Sequence, residues 1–320
     1  MEKYKDNIWI MAIGLLILVG VGIGITLEAS DVGGFNNRTI TKVNVTNVFP
    51  VIYRVSVINS APIDLEPNGT ISLNCTGLIY DGNGWDDIVE VNATFYDTSW
   101  GDGDTFDNNY RYQNASCNSS CTVIPNSNNN NASCYCLFDV YYYANNGTWG
   151  CNMTVSDATG LEDSDNSTVV AINTLVGIEI PQSELDYGDM SVTEMSNYSV
   201  INVTNIGNVP LNISVRGWGG TAEYNLSFND TCMICETGNI SNFYQRYTNN
   251  LTIAQQSTYA NMTNLSNTST LIPSLRLPVK TDDNNVGNET NSTYWKLYIP
   301  SGVSGFCNGT LEFSAVDATG

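Results

Sequence analysis

Apolar and polar residues alternate in short runs along most of the chain. In Ile71-Ser72-Leu73-Asn74-Cys75-Thr76 the apolar phase holds Ile71, Leu73 and Cys75, and Asn74 falls on the polar one. Val89 to Phe95 repeats the pattern with Asn92 outward, and Trp149, Cys151, Met153 and Val155 alternate with Gly150, Asn152 and Thr154. Leu211, Ile213 and Val215 alternate with Asn212, Ser214 and Arg216, and Tyr224, Leu226 and Phe228 with Asn225, Ser227 and Asn229. Cys307, Leu311, Phe313 and Ala315 oppose Asn308, Thr310, Glu312 and Ser314. A period of two places one set of side chains on each face of a strand. Gly/Asn/Asp turns separate the runs, and no helical period appears beyond the N-terminus, so the pattern predicts an all-β chain of β-sandwiches.

The N-terminus differs. Lys3 and Lys5 precede an uncharged run from Ile8 to Leu27, and Glu28 and Asp31 follow it. Such a run reaches the roughly 20 residues a spanning helix needs and exceeds the roughly 7–15 of a signal-peptide core. Residues 1–29 are therefore expected to form an uncleaved signal-anchor, N-terminus inside. The alternative is a signal peptide removed near Ala29. Either puts residues 30–320 outside the cell.

The 320 residues suffice for two domains. Only 13% are charged, and the shortfall is filled by 43 Asn, 28 Ser and 31 Thr. The net charge of -21 arises because 32 acids face only 11 Lys and Arg and no His. Nucleic acid and anionic lipid repel such a surface, which argues against nucleic-acid binding. Without histidine, neither a Ser/His/Asp nor a Cys/His arrangement exists, and the chain is expected not to be an enzyme. Asn-x-Ser/Thr sequons occur 24 times, where composition alone would supply roughly eight. Asn74, Asn92, Asn152, Asn202, Asn212, Asn225 and Asn308 are expected to carry N-linked glycans on outward strand faces.

Nine cysteines lie outside zinc spacings and read as disulfides of an oxidising compartment. Cys75 and Cys151, both on inward phases, suit an inter-sheet bridge. Cys117, Cys121, Cys134 and Cys136 fall in an insertion over residues 97–136. Of three pairings there, the nested one is expected, Cys117 with Cys136 and Cys121 with Cys134, two local staples of a long loop. Cys235 is expected to bridge to Cys307, leaving one cysteine free or paired between chains. The expected organisation is a stalk and first strands over 30–60, one domain over 61–174 and a second over 175–320.

Asn145-Asn146-Gly147-Thr148-Trp149-Gly150-Cys151 resembles the Asp-x-Gly-x-Tyr-x-Cys motif entering strand F of immunoglobulin-like domains. Asn145 stands where the motif has Asp, Trp149 where it has Tyr, and a core Trp on strand C is missing. Leu185-Asp186-Tyr187-Gly188-Asp189, with Val200 to Leu211 around Asn205-Ile206-Gly207-Asn208, resembles immunoglobulin-like modules of prokaryotic surface proteins. With Asp81-Gly82-Asn83-Gly84, the whole is similar to tandem-module surface glycoproteins of archaea. That resemblance implies two tandem immunoglobulin-like β-sandwiches, a last hairpin running from Tyr294 through Ala315, and a cell-surface location.

Asp97, Asp102, Asp104 and Asp107 offer oxygen ligands in one loop and form the single candidate calcium site of weight. Asp86-Asp87 and Asp163/Asp165 are lesser candidates, and turn capping is the competing role for all of them. No other cofactor is expected. Tyr141-Tyr142-Tyr143 is read as a strand with Tyr142 facing opposite its neighbours. The expected function is structural or adhesive: contact with another cell, other surface proteins or copies of itself. The alternatives are a filament or lattice subunit that exchanges residues 36–60 between copies, and a secreted polysaccharide hydrolase.

Overall fold

A computed structural model of the chain describes residues 28–29, 35–36, 39–57, 62–101, 107–223, 230–256, 259–281 and 287–319. The apolar run Ile8–Leu27, the expected strand Tyr224–Asn229 and the acids Asp102 and Asp104 lie outside these. Among the described residues no helix is long and apolar enough to cross a membrane. The chain divides into two compact units, Met1–Asn47 and Val48–Gly320. In the first, β1 (Glu28–Ala29) pairs antiparallel with β2 (Phe35–Asn36). Residues 39–50 form no strand.

The second unit contains two sandwiches. In the first sandwich the strands are β3 (Val51–Val57), β4 (Thr70–Tyr80), β5 (Ile88–Asp97), β6 (Arg111–Asn114), β7 (Thr122–Val123), β8 (Asn131–Tyr141), β9 (Gly147–Asp157), β10 (Glu162–Asn166) and β11 (Val170–Ile172). One sheet runs β3-β4-β8-β7, the other β10-β9-β5-β6 with β11 also on β9. The expected alternation holds: Leu73, Cys75, Val91, Ala93, Phe95, Trp149, Cys151, Met153 and Val155 are all buried. β3 is one of the first strands expected within residues 30–60, and its Ile52, Val55 and Val57 join the same core.

Trp149 is fully buried beside the Cys75–Cys151 disulfide and stacks on Phe95 of β5, ring centroids 4.9 Å apart. Its Nε1–H donates to the Asn145 carbonyl at 2.8 Å. The indole thus makes the backbone bond that the tyrosine corner makes in this fold.

The insertion is not a stapled loop. It contributes β6 to one sheet and β7 to the other. Cys134 and Cys136 sit on the inward phase of β8 with Ala132, Phe138 and Val140. Their disulfides to Cys121 and Cys117 tie a crossing segment to the core. The Cys117 amide donates to Val91 of β5, which closes the gap between the sheets. The tyrosine reading also needs correction, because β8 ends at Tyr141. Tyr142 and Tyr143 lie in the following turn, both buried, with their rings edge to face.

The second sandwich comprises β12 (Ile178–Glu179), β13 (Ser199–Asn205), β14 (Leu211–Gly219), β15 (Thr231–Thr237), β16 (Asn239–Ser241), β17 (Gln245–Thr248), the short helix α1 (Leu251–Gln255), β18 (Thr263–Asn264), β19 (Thr270–Leu277), β20 (Thr290–Leu297) and β21 (Ser304–Asp317). Its sheets run β12-β13-β20-β17-β18 and β16-β15-β21-β14-β19. Asn250 caps α1, its side-chain oxygen accepting from the Thr252 and Ile253 amides. The expected last hairpin does not form. β20 pairs with β13 and β17, β21 with β14 and β15, and residues 298–303 cross from one sheet to the other. Both strands alternate correctly, but alternation says nothing about which sheet a strand joins.

Candidate interaction surface and the joint behind it

The two sandwiches meet through asparagine side chains. Asn208, in the turn between β13 and β14, is almost fully buried. Its Nδ2 donates to the Ala144 carbonyl at 3.1 Å and the Asn173 carbonyl at 3.0 Å, and its Oδ1 accepts the Leu175 amide at 2.7 Å. Ala144 and Asn173 belong to the first sandwich, so this side chain of the second sandwich satisfies three backbone groups of the first and of the connecting segment. Gly207 permits the approach: a Cβ there would stand 2.2 Å from the Leu175 carbonyl oxygen. Asn205 braces the turn, donating to the Val209 and Pro278 carbonyls and accepting the Gly207 amide. From the first sandwich Asn109 reaches across, donating to Tyr143 and to Lys280. The Lys280 ammonium stands 5.4 Å over the Tyr143 ring. The sequence reading took Asn205-Ile206-Gly207-Asn208 as a turn and missed that it is also the joint.

Asparagine divides by context. Twenty-one sequon asparagines have described side chains, and none is buried. Fourteen other asparagines are described, and five of them, Asn108, Asn109, Asn205, Asn208 and Asn242, are buried. Random assignment would rarely keep every buried asparagine out of the sequons. Asn74, Asn92, Asn152, Asn202, Asn212 and Asn308 are each half-buried on outer strand faces, and Asn225 lies outside the described residues. That context was the available signal for the joint: Asn109, Asn205 and Asn208 all lack a Ser or Thr two residues on.

The acidic candidates act mainly within the fold. Asp97 is buried; its Oδ1 accepts the Ser99 amide and hydroxyl, and its Oδ2 the Asn145 amide group. Asp107 accepts the Asn109 amide. Asp163 accepts the Ile52 amide of β3, Asp165 the Asn166 amide, and Asp86 the Asn129 side chain. Among the described residues no group of three or more His, Cys, Asp or Glu has metal-holding geometry. Asp81 is the exception in character. It is fully buried, one oxygen accepts the Asn83 amide and the other has no partner. Burial raises its pKa above the usual carboxylate value, with Asp87 and Asp157 adding repulsion against the pull of neighbouring amides.

In the second sandwich Cys235 on β15 is joined to its cross-strand partner Cys307 on β21. Cys232 is a buried free thiol, its pKa pushed by desolvation up to about 12. A thiol held protonated in this way is a poor nucleophile, so the Cys232–Cys235 spacing has no redox pair behind it.

No protein-family model matches the chain, and no curated protein is detectably similar to it. Among solved structures the chain is similar to a chain of the CsuC–CsuE chaperone–tip adhesion subunit complex of Acinetobacter baumannii. That match has 12% identity and a TM-score of 0.35, covering 82% of this chain and 99% of that one. Dimeric latent PorU of Porphyromonas gingivalis matches at 12% identity and a TM-score of 0.28, covering 86% of this chain but only 20% of the other. A carbohydrate-binding module of the β-sandwich superfamily matches at 11% identity and a TM-score of 0.25, covering 85% of this chain and 99% of that one.

Proposed function

We propose that this chain is a cell-surface glycoprotein of structural or adhesive role, tethered by its N-terminal apolar segment and lacking catalytic activity. The observation that carries the reading is the separation of sequons from buried asparagines. An acceptor asparagine must reach an oligosaccharyltransferase and then hold a bulky glycan in water, so a glycosylated chain keeps its sequons out of the core. A chain merely rich in Asn, Ser and Thr has no reason to do so. Four disulfides support the same location, because such bridges persist in oxidising compartments and are rare in the cytosol. The hydrogen-bonded joint makes the two sandwiches a stiff presenter of their loops, which suits contact with another cell or surface protein.

The resemblance to tandem immunoglobulin-like modules of archaeal surface proteins belongs to this proposal. So does calcium at Asp97, Asp102, Asp104 and Asp107, although both oxygens of Asp97 are already engaged within the protein. The test is labelling of intact cells with a membrane-impermeant amine reagent, followed by deglycosylation of the labelled fraction. The proposal expects labelled protein whose apparent mass falls on deglycosylation. Label appearing only after lysis would overturn it.

A further inference from the structure

The outer face of the sheet β12-β13-β20-β17-β18 gathers charge of one sign. Residues 195–222, 237–281 and 290–311 contain no Asp or Glu, in a chain with 32 acids against 11 Lys and Arg. These three stretches supply β13, β17, β18 and β20 whole. The sheet's one acid, Glu179 of β12, stands opposite Thr204, and Thr204 opposite Thr290, at the end of β20 away from Lys296.

Trp295, Leu297 and Tyr247 belong to the second core, so their neighbours Tyr294, Lys296 and Arg246 stand on the outer face. Arg246 and Lys296 are directly opposite each other on β17 and β20. Like charges facing across a sheet repel, and Lys296 is only 7% exposed. The Arg246 guanidinium lies 4.9 Å from the centre of the Phe243 ring and 4.4 Å from that of Tyr259. Its Nε and Nη1 donate to the Phe243 and Tyr259 carbonyls at 3.5 and 3.1 Å, so neutral groups hold it in place. Among the described residues neither cation has a carboxylate partner. On the same face the Tyr198 and Tyr294 rings meet edge to face, centroids 5.7 Å apart. Tyr198 is 37% exposed and Phe243 53%. Two positive charges without a counter-ion thus stand among aromatic rings.

We propose that this face binds an acidic polysaccharide, a chain of pyranose rings bearing carboxylates. Sugar rings lay their C–H faces on exposed aromatic rings, and a uronate chain repeats a carboxylate with each ring. This face matches that alternation by setting Arg246 and Lys296 among Phe243, Tyr259, Tyr198 and Tyr294. A bound carboxylate also relieves the repulsion between the two cations. Charge complementarity alone would equally suit the acidic surface of another protein. The sequons decide between them: Asn197 adjoins Tyr198, Asn202 shares the outer phase of β13, and Asn264 lies opposite Arg246. Glycans there hold a second protein away, whereas a single polysaccharide strand can lie between them. Such a ligand gives the proposed adhesive role its partner. The choice of a polysaccharide rests on the glycan reading; the charge and the rings do not.

The test is isothermal titration calorimetry of the full chain, purified from its native membrane in detergent micelles, with polygalacturonate as the probe and uncharged dextran as the control. The wild type should bind polygalacturonate and not dextran, and bind it more weakly as salt rises from about 50 to about 300 mM. Phe243→Ala, at an exposed ring outside the core, and Arg246→Gln should each weaken binding at least about tenfold. Phe243→Ala should melt within about 2 °C of wild type, which separates lost binding from lost fold. No binding of polygalacturonate, equal binding of dextran, or unchanged affinity in either variant would overturn the proposal. Self-association weakened by the same variants, without polygalacturonate binding, would assign the face to a second copy instead. Failure to bind by protein shown to carry glycans sinks the site alone; binding by protein of unmodified mass sinks the glycan reading alone.

Discussion

Replacing Asn208 by alanine removes three hydrogen bonds that run between the second sandwich and the first or the connecting segment. The Ala144 carbonyl loses its partner in a buried site, and the Leu175 amide and the Asn173 carbonyl lose theirs in part-buried ones. Each bond contributes about 1 kcal/mol net, and a buried group left unpaired costs about 1–3 kcal/mol. The joint should therefore lose on the order of 3 kcal/mol. Most of this falls on the coupling between sandwiches, because the turn keeps its own bonds from Asn205. Asn208→Asp should do no better: the new carboxylate accepts the Leu175 amide but faces two carbonyl oxygens with no proton to offer. In differential scanning calorimetry the wild type should melt in one transition. Asn208→Ala should split it, with the less stable sandwich melting roughly 6–12 °C earlier. A single transition within 1–2 °C of wild type (roughly the resolution of such a shift) would refute the account of the joint.

Trp149→Phe removes the Nε1–H bond to Asn145 and leaves space beside Phe95, so urea unfolding should show a loss of about 2–3 kcal/mol. Cys75→Ala/Cys151→Ala opens a crosslink between residues 76 apart, and the same assay should read a loss of about 4 kcal/mol. Asp81→Asn should raise stability at neutral pH. The folded-state pKa of Asp81 is raised, so the folded form holds its proton more tightly than the unfolded one. Wild-type stability therefore falls as pH climbs from the ordinary carboxylate value through the raised one. The variant should lose that slope, as urea midpoints taken across the acid range would register.

The strands were legible because burial writes itself into a period of two. Leu73 and Cys75, or Met153 and Val155, could not sit on a solvated face without exposing apolar area. The inward phases of Cys75 and Cys151 carried their inter-sheet pairing with them. Cys134 and Cys136 share the same inward phase on β8, but the Asn-rich run before them disguised a strand as loop. Sheet membership was not legible: the turn after β20 reads as a hairpin, and only packing sends β21 into the opposite sheet. The joint escaped for a related reason. Asn208 looks like any turn asparagine until its three partners, distant in sequence, come together.

The most direct test of the glycoprotein reading is the intact mass of the protein from its native membrane, followed by glycopeptide mapping. The account predicts a mass well above that of the 34.9 kDa chain, with glycans on sequon asparagines such as Asn74, Asn92, Asn152 and Asn308 and none on Asn109, Asn205, Asn208 or Asn242. An unmodified mass would contradict it and leave the sequons a by-product of composition.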